Sequence, residues 1–274
     1  MNHRLLIAGV PIDRIDYEGV LKKIAEWTKG KTAHQIVTVN PEMILRCQQD
    51  DEFKRILQES SLNTADGTGA LWAADYLNLP QKRGWQKGVQ LFFSLMRIIL
   101  RQPFRVIPER VTGSDLLPKL VERSHRNHWK LFFLGADKGV AKQAKEKLLK
   151  HYPDAHIVDC FDGSPSDQES STAINRINKS GANILLVAYG NPKQEQWIQK
   201  YLQHCHNVRA AIGVGGSFDF YAERIKRAPN WLQQFGLEWL WRLLKEPQRY
   251  PRIWNATVGF VHLIYRLKNE KITP

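Results

Sequence analysis

Four short stretches of the chain carry side chains able to do chemistry. Thr38-Val39-Asn40-Pro41 sets a hydroxyl and an amide close together where an apolar run ends. Ala65-Asp66-Gly67-Thr68-Gly69 places a carboxylate in a glycine-flanked turn that opens a helical stretch. Glycine permits close backbone approach, and a helix start offers unbonded N–H groups to an anion. Gly190-Asn191-Pro192-Lys193-Gln194-Glu195 has the same strand, turn, helix character. So does Gly213-Val214-Gly215-Gly216-Ser217-Phe218-Asp219-Phe220, which is followed by Arg227-Ala228-Pro229. Each stretch alone has a plainer reading, with the aspartates as caps and the glycines as ordinary tight turns.

The elements that position these residues follow from periodicity. Short apolar runs at Leu5–Ile12, Gln35–Val39, Lys130–Leu134, His156–Phe161, Ile184–Ala188 and Val208–Val214 are predicted strands. Helical spacing fits residues 18–29, 42–58, 68–77, 114–127, 138–150, 167–179 and 193–203. The alternation predicts an α/β fold with a largely parallel sheet flanked by helices. Strands that end in Asn40-Pro41, Gly135-Ala136-Asp137 and Gly190-Asn191-Pro192 bring these residues to the carboxyl edge, where open α/β sheets bind ligands. No turn reads G-x-G-x-x-G, so the dinucleotide fingerprint is missing.

Composition narrows the class. The 274 residues are 43% hydrophobic and include nine Trp, which excludes a disordered chain. Three scattered cysteines exclude a disulfide framework and fit a reducing compartment. The net charge of +13 is local: residues 81–110 hold seven Lys/Arg against one acid, and residues 224–274 hold ten against three. No run reaches the roughly 18 apolar residues that a membrane span needs. The N-terminal run, which leads straight into Asp13 and Asp16, reads as a strand rather than a signal peptide. A cytoplasmic protein with peripheral membrane contact is expected.

Two segments break the α/β rhythm. In residues 81–107 the polar residues Gln86, Gln90, Ser94, Arg97 and Arg101 form a stripe at helical spacing amid Trp85, Val89, Leu91, Phe92, Phe93, Leu95, Met96, Ile98, Ile99 and Leu100. This predicts an amphipathic helix with a wide apolar face and a cationic polar face. It would lie against the domain, against a second subunit or on a membrane surface. After Arg227-Ala228-Pro229-Asn230-Trp231 a helix is predicted through Leu244, a break at Glu246–Arg252, and a last helix over Ile253–Leu267. Trp residues interleaved with Arg suit a bilayer interface, and equally single-stranded nucleic acid.

Taken together, the motifs resemble the WecG/TagA/CpsF family of glycosyltransferases. The likeness rests on Thr-x-Asn at Thr38, Ala-Asp-Gly-x-Gly at Ala65 and Arg-Val-Thr-Gly-x-Asp at Arg110. It continues with Gly-x-Pro-x-Gln-Glu at Gly190, Gly-Val-Gly-Gly-x-Phe-Asp at Gly213 and Glu-Trp-x-x-Arg-Leu at Glu238. It implies a Rossmann-like core over residues 1–223 and a C-terminal helical appendage over residues 224–274. The implied reaction is inverting transfer of a sugar, typically N-acetylmannosamine, from a UDP donor to a GlcNAc-diphospho-undecaprenol lipid at the inner membrane face. Asp66 matches the proposed catalytic base, and direct displacement does need one base for the acceptor hydroxyl. Thr38 and Asn40 match residues that orient donor or acceptor, while Arg110 and Gln194 match positions near sugar and diphosphate. Gly135, Gly190, Gln194, Glu195, Gly213, Gly215, Gly216 and Asp219 fall to the UDP-sugar. Arg242, Arg249 and Arg252 fall to the lipid diphosphate, their plainer reading being solvated surface charge.

No cofactor is expected. The thirteen aspartates contain no Asp-x-Asp pair, the usual cation site of metal-dependent glycosyltransferases. Arginines and helix N-termini would then offset the leaving diphosphate. His204-Cys205-His206 is the nearest approach to a metal spacing, and its alternation scatters the side chains. Residues 81–107 depart from the family pattern by an extra basic segment that leaves the motif residues untouched. They put acceptor identity, membrane attachment and a homo-oligomer interface in play. A nucleic-acid-binding protein would explain the charge and leave Asp66, Thr38, Gln194 and Asp219 without work, so a nucleic-acid partner is not expected. A non-catalytic membrane scaffold would make the intact Asp66 and Arg110 superfluous.

Overall fold

The computed structural model describes residues 4–270 apart from 101, 227, 230, 231, 233–240, 242, 244–249 and 251–253. Its strands are β1 (Arg4–Ile7), β2 (Val10–Asp13), β3 (His34–Val39), β4 (Leu62–Ala65), β5 (Leu131–Gly135), β6 (Ile157–Phe161), β7 (Ile184–Ala188) and β8 (Ala210–Gly213). Its helices are α1 (Tyr17–Trp27), α2 (Pro41–Arg46), α3 (Asp51–Glu59), α4 (Thr68–Asn78), α5 (Gln86–Ile99), α6 (Gly113–Ser124), α7 (Val140–His151), α8 (Asp167–Ser180), α9 (Lys193–Tyr201), α10 (Ser217–Tyr221) and α11 (Phe260–Glu270). Six strands form one parallel sheet in the order β4-β3-β8-β7-β5-β6. The expected α/β, Rossmann-like class is the observed one.

Successive side chains of a strand point to opposite faces, and the central strands serve two cores in that way. Leu131 and Phe133 of β5, Leu186 of β7 and Ile212 of β8 pack with α1, α6 and α7. Phe132, Leu134, Leu185, Val187 and Ala211 face the other side, where Ala173 and Ile177 of α8 and Trp197 and Ile198 of α9 cover them. Val37 and Val39 of β3 lead on that same side into a third cluster with α2, α3, α4 and the β1–β2 pair. Phe260 and Ile264 of α11 are fully buried there, so the chain's last helix returns to its N-terminal half.

Four local expectations are corrected. Leu5–Ile12 is not one strand but a hairpin in which Ile7 faces Val10 across Ala8 and Gly9, whose φ values are +52° and +80°. A two-residue turn with positive φ at both positions suits the twist of paired strands. The stretch 42–58 is two helices, because the Asp50 carboxylate accepts the Phe53 N–H at 2.9 Å and starts α3 afresh. Leu62–Ala65, too short and polar to read as a strand, is β4. Its buried polar residues are satisfied, Asn63 donating to the Leu57 carbonyl at 2.7 Å and Thr64 to the Val111 carbonyl at 3.0 Å.

The fourth correction concerns α5, which turns its polar stripe inward. Ser94 is buried and accepts the Trp72 indole N–H at 3.1 Å. Gln90 donates to the Pro80 carbonyl at 2.9 Å, and Arg97 lies 3.7 Å from the Asp75 carboxylate. Gln86 is exposed, and Arg101 lies outside the described residues. Leu91, Leu95 and Ile98 flank that inner side against the core, while Trp85, Val89, Phe92, Phe93, Ile99 and Leu100 face solvent. The reason is local demand: α4 presents an indole N–H and a carboxylate that need partners once covered. The helix of the last segment begins as a π turn at Asn255–Gly259 before α11. The helix predicted over 231–244 and the break after it lie outside the described residues, apart from isolated positions.

Asp75 also accepts the backbone N–H groups of Arg105 and Val106, both at 2.9 Å, and so fastens the returning chain to α4. Replacing a buried acceptor strands its donors, which costs about 1–3 kcal/mol. Asp75→Ala should therefore lower the urea midpoint by an amount in that range, with Asp75→Asn between it and the wild type. Equal midpoints for all three proteins would show that the carboxylate does not hold the segment.

Candidate active site

A cleft opens at the carboxyl ends of β3, β4, β7 and β8. It is lined by Thr38, Asn40, Asp66, Gly190, Gln194, Gly215, Gly216 and Asp219. Eight of the expected site residues, drawn from four separate motifs, thus share one cavity. Met43, Gly113, Ser114, Asn191, Val214, Ser217, Phe220 and Ile225 complete the lining.

Each side chain is delivered by a strand end. Thr38 lies on β3 with its hydroxyl 3.5 Å from the Gly213 carbonyl of the neighbouring strand β8. Asn40 caps α2, its side-chain oxygen accepting the Met43 N–H at 3.0 Å. Asn40 thus spends its oxygen on the helix cap and still lines the cleft. Asp66 follows β4 directly, and its N–H donates to the Val39 carbonyl at 2.8 Å. The next residue, Gly67, has φ +99°, a conformation that favours glycine, and it turns the chain into α4. Close packing fixes that turn: a Cβ on Gly69 would approach Pro41 to 2.8 Å.

The far wall depends on Gln194. Its side chain, buried at the start of α9, accepts the Gly215 N–H at 3.0 Å and donates to the Glu195 carboxyl at 2.7 Å. A Cβ on Gly213 would collide with both groups, so glycine is required beneath them. Glu195 does not line the cleft but lies behind it, 1% exposed, and burial pushes its carboxyl up to about 8. Gln35 donates to the Glu195 backbone carbonyl at 3.1 Å and joins this layer to β3.

Gly135 and Arg110 do not line the cleft either. Gly135 ends β5 beside Ala188 of β7, and its missing Cβ makes room for the Tyr189 ring. Arg110 is half-buried in the run whose next residue, Val111, donates its N–H to the Ala65 carbonyl at 2.9 Å. That run continues into Thr112, which caps α6 by accepting the Asp115 N–H at 3.1 Å. The Tyr17 hydroxyl accepts the Thr112 N–H at 3.0 Å. Burial holds that phenol well above its ordinary range, with Asp115 and Asp66 adding to the effect, so Tyr17 stays neutral. Arg242, Arg249 and Arg252 lie outside the described residues.

Asn191 is the site residue that sequence reasoning passed over. It lines the cleft, and neither its Oδ1 nor its Nδ2 reaches solvent or meets a partner among the described residues. A buried amide with neither end bonded is unusual, and a bound carbonyl or N–H group would satisfy it. Its place inside Gly190-Asn191-Pro192 was the available signal. Among the described residues no group of three His, Cys, Asp or Glu is arranged to hold a metal ion.

The Glu195 carboxyl gives a pH test of the wall. Its folded value, about 8, lies above its ordinary 4.5, so between these values the unfolded chain releases the proton first. Stability should therefore fall as pH rises through that window and level off beyond it. Glu195→Gln keeps a neutral partner for Gln194 and should flatten the profile of melting temperature against pH. Parallel profiles for the two proteins would show that the carboxyl is not held protonated by the fold.

The chain matches the Glycosyl transferase WecG/TagA/CpsF family over residues 5–107 and 94–273. It is similar to proteins named N-acetylglucosaminyldiphosphoundecaprenol N-acetyl-beta-D-mannosaminyltransferase. The Bacillus spizizenii protein is 29% identical over 80% of this chain and 74% of its own length. The Bacillus subtilis protein is 27% identical over 86% and 81%, and that of Staphylococcus aureus strain MRSA252 is 26% identical over 96% and 93%. Matched along most of its length, with the family's motif residues gathered at one sheet edge, this chain belongs to the WecG/TagA/CpsF family and is a glycosyltransferase.

Proposed function

We propose that this enzyme transfers N-acetylmannosamine from a UDP donor to GlcNAc carried on a polyprenyl diphosphate, with inversion, without a metal ion, at the inner face of the cell membrane. The observation that carries the reading is the cleft itself, where Asp66 shares one cavity with Thr38, Asn40, Gln194 and Asp219. The names of the relatives support the choice of transferred sugar and lipid acceptor. Among the described residues no helix is long and apolar enough to cross a membrane, so a lipid acceptor would be met from the surface.

In this mechanism the Asp66 carboxylate takes the proton of the acceptor hydroxyl. The freed oxygen bonds to the anomeric carbon as the bond to the diphosphate oxygen breaks, and UDP leaves with that electron pair. One displacement inverts the centre. Thr38 and Asn40 orient the reacting sugars, and Gln194 holds the glycine turn against which the uridine half rests, next to Asp219. Arg110 and the C-terminal Arg242, Arg249 and Arg252 supply positive charge for the two diphosphates, the role a cation plays elsewhere. Asn191 reads the acetamido group of the donor by turning its amide, which is closed off from solvent, toward the cleft, where that group's carbonyl and N–H match its two unbonded ends.

Asp66→Asn should fold, bind UDP and lose turnover by about 10²-fold or more. Mass analysis of products from a panel of UDP-sugars and a short-chain GlcNAc-diphospholipid measures this, and wild-type turnover in the variant would remove Asp66 from the role. Activity should survive EDTA; loss on chelation and recovery with Mg²⁺ or Mn²⁺ would contradict the metal-free reading. Asn191→Ala should raise the donor KM about tenfold for an acetamido sugar and leave a plain UDP-hexose little changed. An equal rise for both donors would place Asn191 elsewhere in the site.

A further inference from the structure

The solvent side of α5 is a single apolar face. Trp85, Val89, Phe92, Phe93, Met96, Ile99 and Leu100 recur at spacings of three and four, which is one side of a helix. Trp85 is 78% exposed, Phe93 63%, Ile99 65% and Leu100 62%. Roughly 1.5 Å of rise per residue makes this strip about 22 Å long. The helix cannot roll to hide it, because Gln90, Ser94 and Arg97 hold the opposite side to α4 and to the chain on either side of the helix. Lys82 and Arg83 are exposed beside the strip, Lys87 is half-buried, and no acid occurs between Lys82 and Arg105.

We propose that this face is the docking surface of the enzyme on an anionic lipid leaflet, a proposal that rests on the reading that the acceptor is a membrane lipid. The charge pattern chooses the partner. Aromatic rings and aliphatic side chains enter the boundary between headgroups and acyl chains while neighbouring cations meet lipid phosphates. A second copy of the chain would bring the same acid-free, cationic helix against itself, with no carboxylate on the face to pair with it. A free apolar strip of this extent is otherwise a liability in water. The cationic part of the attraction comes from the N-terminal end of the helix, since Arg97 is turned inward to Asp75.

The test uses the full chain and sedimentation with vesicles of phosphatidylcholine alone or mixed with phosphatidylglycerol. The wild type should bind the mixed vesicles, more weakly as salt rises. Trp85→Ser, Phe92→Ser and Phe93→Ser together should cut that binding by about tenfold or more, with the melting temperature unchanged because these side chains are exposed. Lys82→Glu with Arg83→Glu should also weaken it and flatten its salt dependence. Unchanged vesicle binding in the triple variant would overturn the proposal. A smaller oligomer in that variant, with vesicle binding kept, would show instead that the face joins two copies. Vesicle binding needs no turnover, so failure of transfer with every UDP-sugar would count against the enzymatic reading and leave this measurement standing.

Discussion

The buried side chain of Gln194 is the interaction on which the cleft depends, because it crosses from the turn after β7 to the turn after β8. Its amide oxygen fixes the Gly215 N–H while its amide nitrogen is held by Glu195. The pair lies on the Cα of Gly213, so a glycine, a neutral glutamic acid and a buried amide require one another. A charged Glu195 would be costly at 1% exposure, and burial raises its proton affinity accordingly. The layer is polar, yet it positions rather than reacts. Asp66, Thr38 and Asp219 line the cleft in front of it.

The opposite wall rests on α4, whose first turn follows Asp66. The helix is gripped from two directions. On one side α5 presents Ser94 to Trp72 and Arg97 to Asp75. On the other, α11 packs Phe260 near Gly69 at the start of α4 and against the edge of the Trp72 ring. At the far end of α4 the buried Lys268 donates to the Leu79 carbonyl at 2.6 Å and the Tyr76 carbonyl at 2.7 Å, which satisfies carbonyls a helix end leaves open. A residue nearly two hundred positions downstream thus completes the helix that presents the carboxylate.

Much of this was legible in the sequence, and the failures share a cause. Thr38, Asn40, Asp66, Gly190, Gln194, Gly215, Gly216 and Asp219 meet because each lies at the end of a parallel strand, in the turn after it or in the first turn of the next helix, and strand ends can be read from apolar runs broken by glycine or asparagine. Periodicity also found the stripe of α5 but not its direction. A stripe of Gln, Ser and Arg reads as solvated until the partner surface is known, and here that surface offered an indole N–H and a carboxylate. β4 was hidden for the same reason, since Asn63 and Thr64 look unsuited to a core until Leu57 and Val111 supply their partners. Gly135 lies off the cleft. It has the turn character of a ligand-binding glycine, and its φ of +94° and the Tyr189 ring both call for glycine there.

Asn191 and Glu195 show where a motif stops short of a mechanism. Both sit in one six-residue stretch, and both keep a buried polar atom unbonded among the described residues, Oε2 in Glu195 and both amide ends in Asn191. Glu195 meets the Gln194 amide and is discharged by its surroundings, so it belongs to the scaffold. Asn191 has neither end bonded among the described residues and lines the cleft. An open buried amide costs stability, and in a binding site a ligand's own polar group can offset that cost. The spacing Gly-x-Pro-x-Gln-Glu is indifferent to its first variable position, but the surface of the cleft is not. If Asn191 reads the donor as proposed, the position this motif leaves free takes part in choosing the sugar.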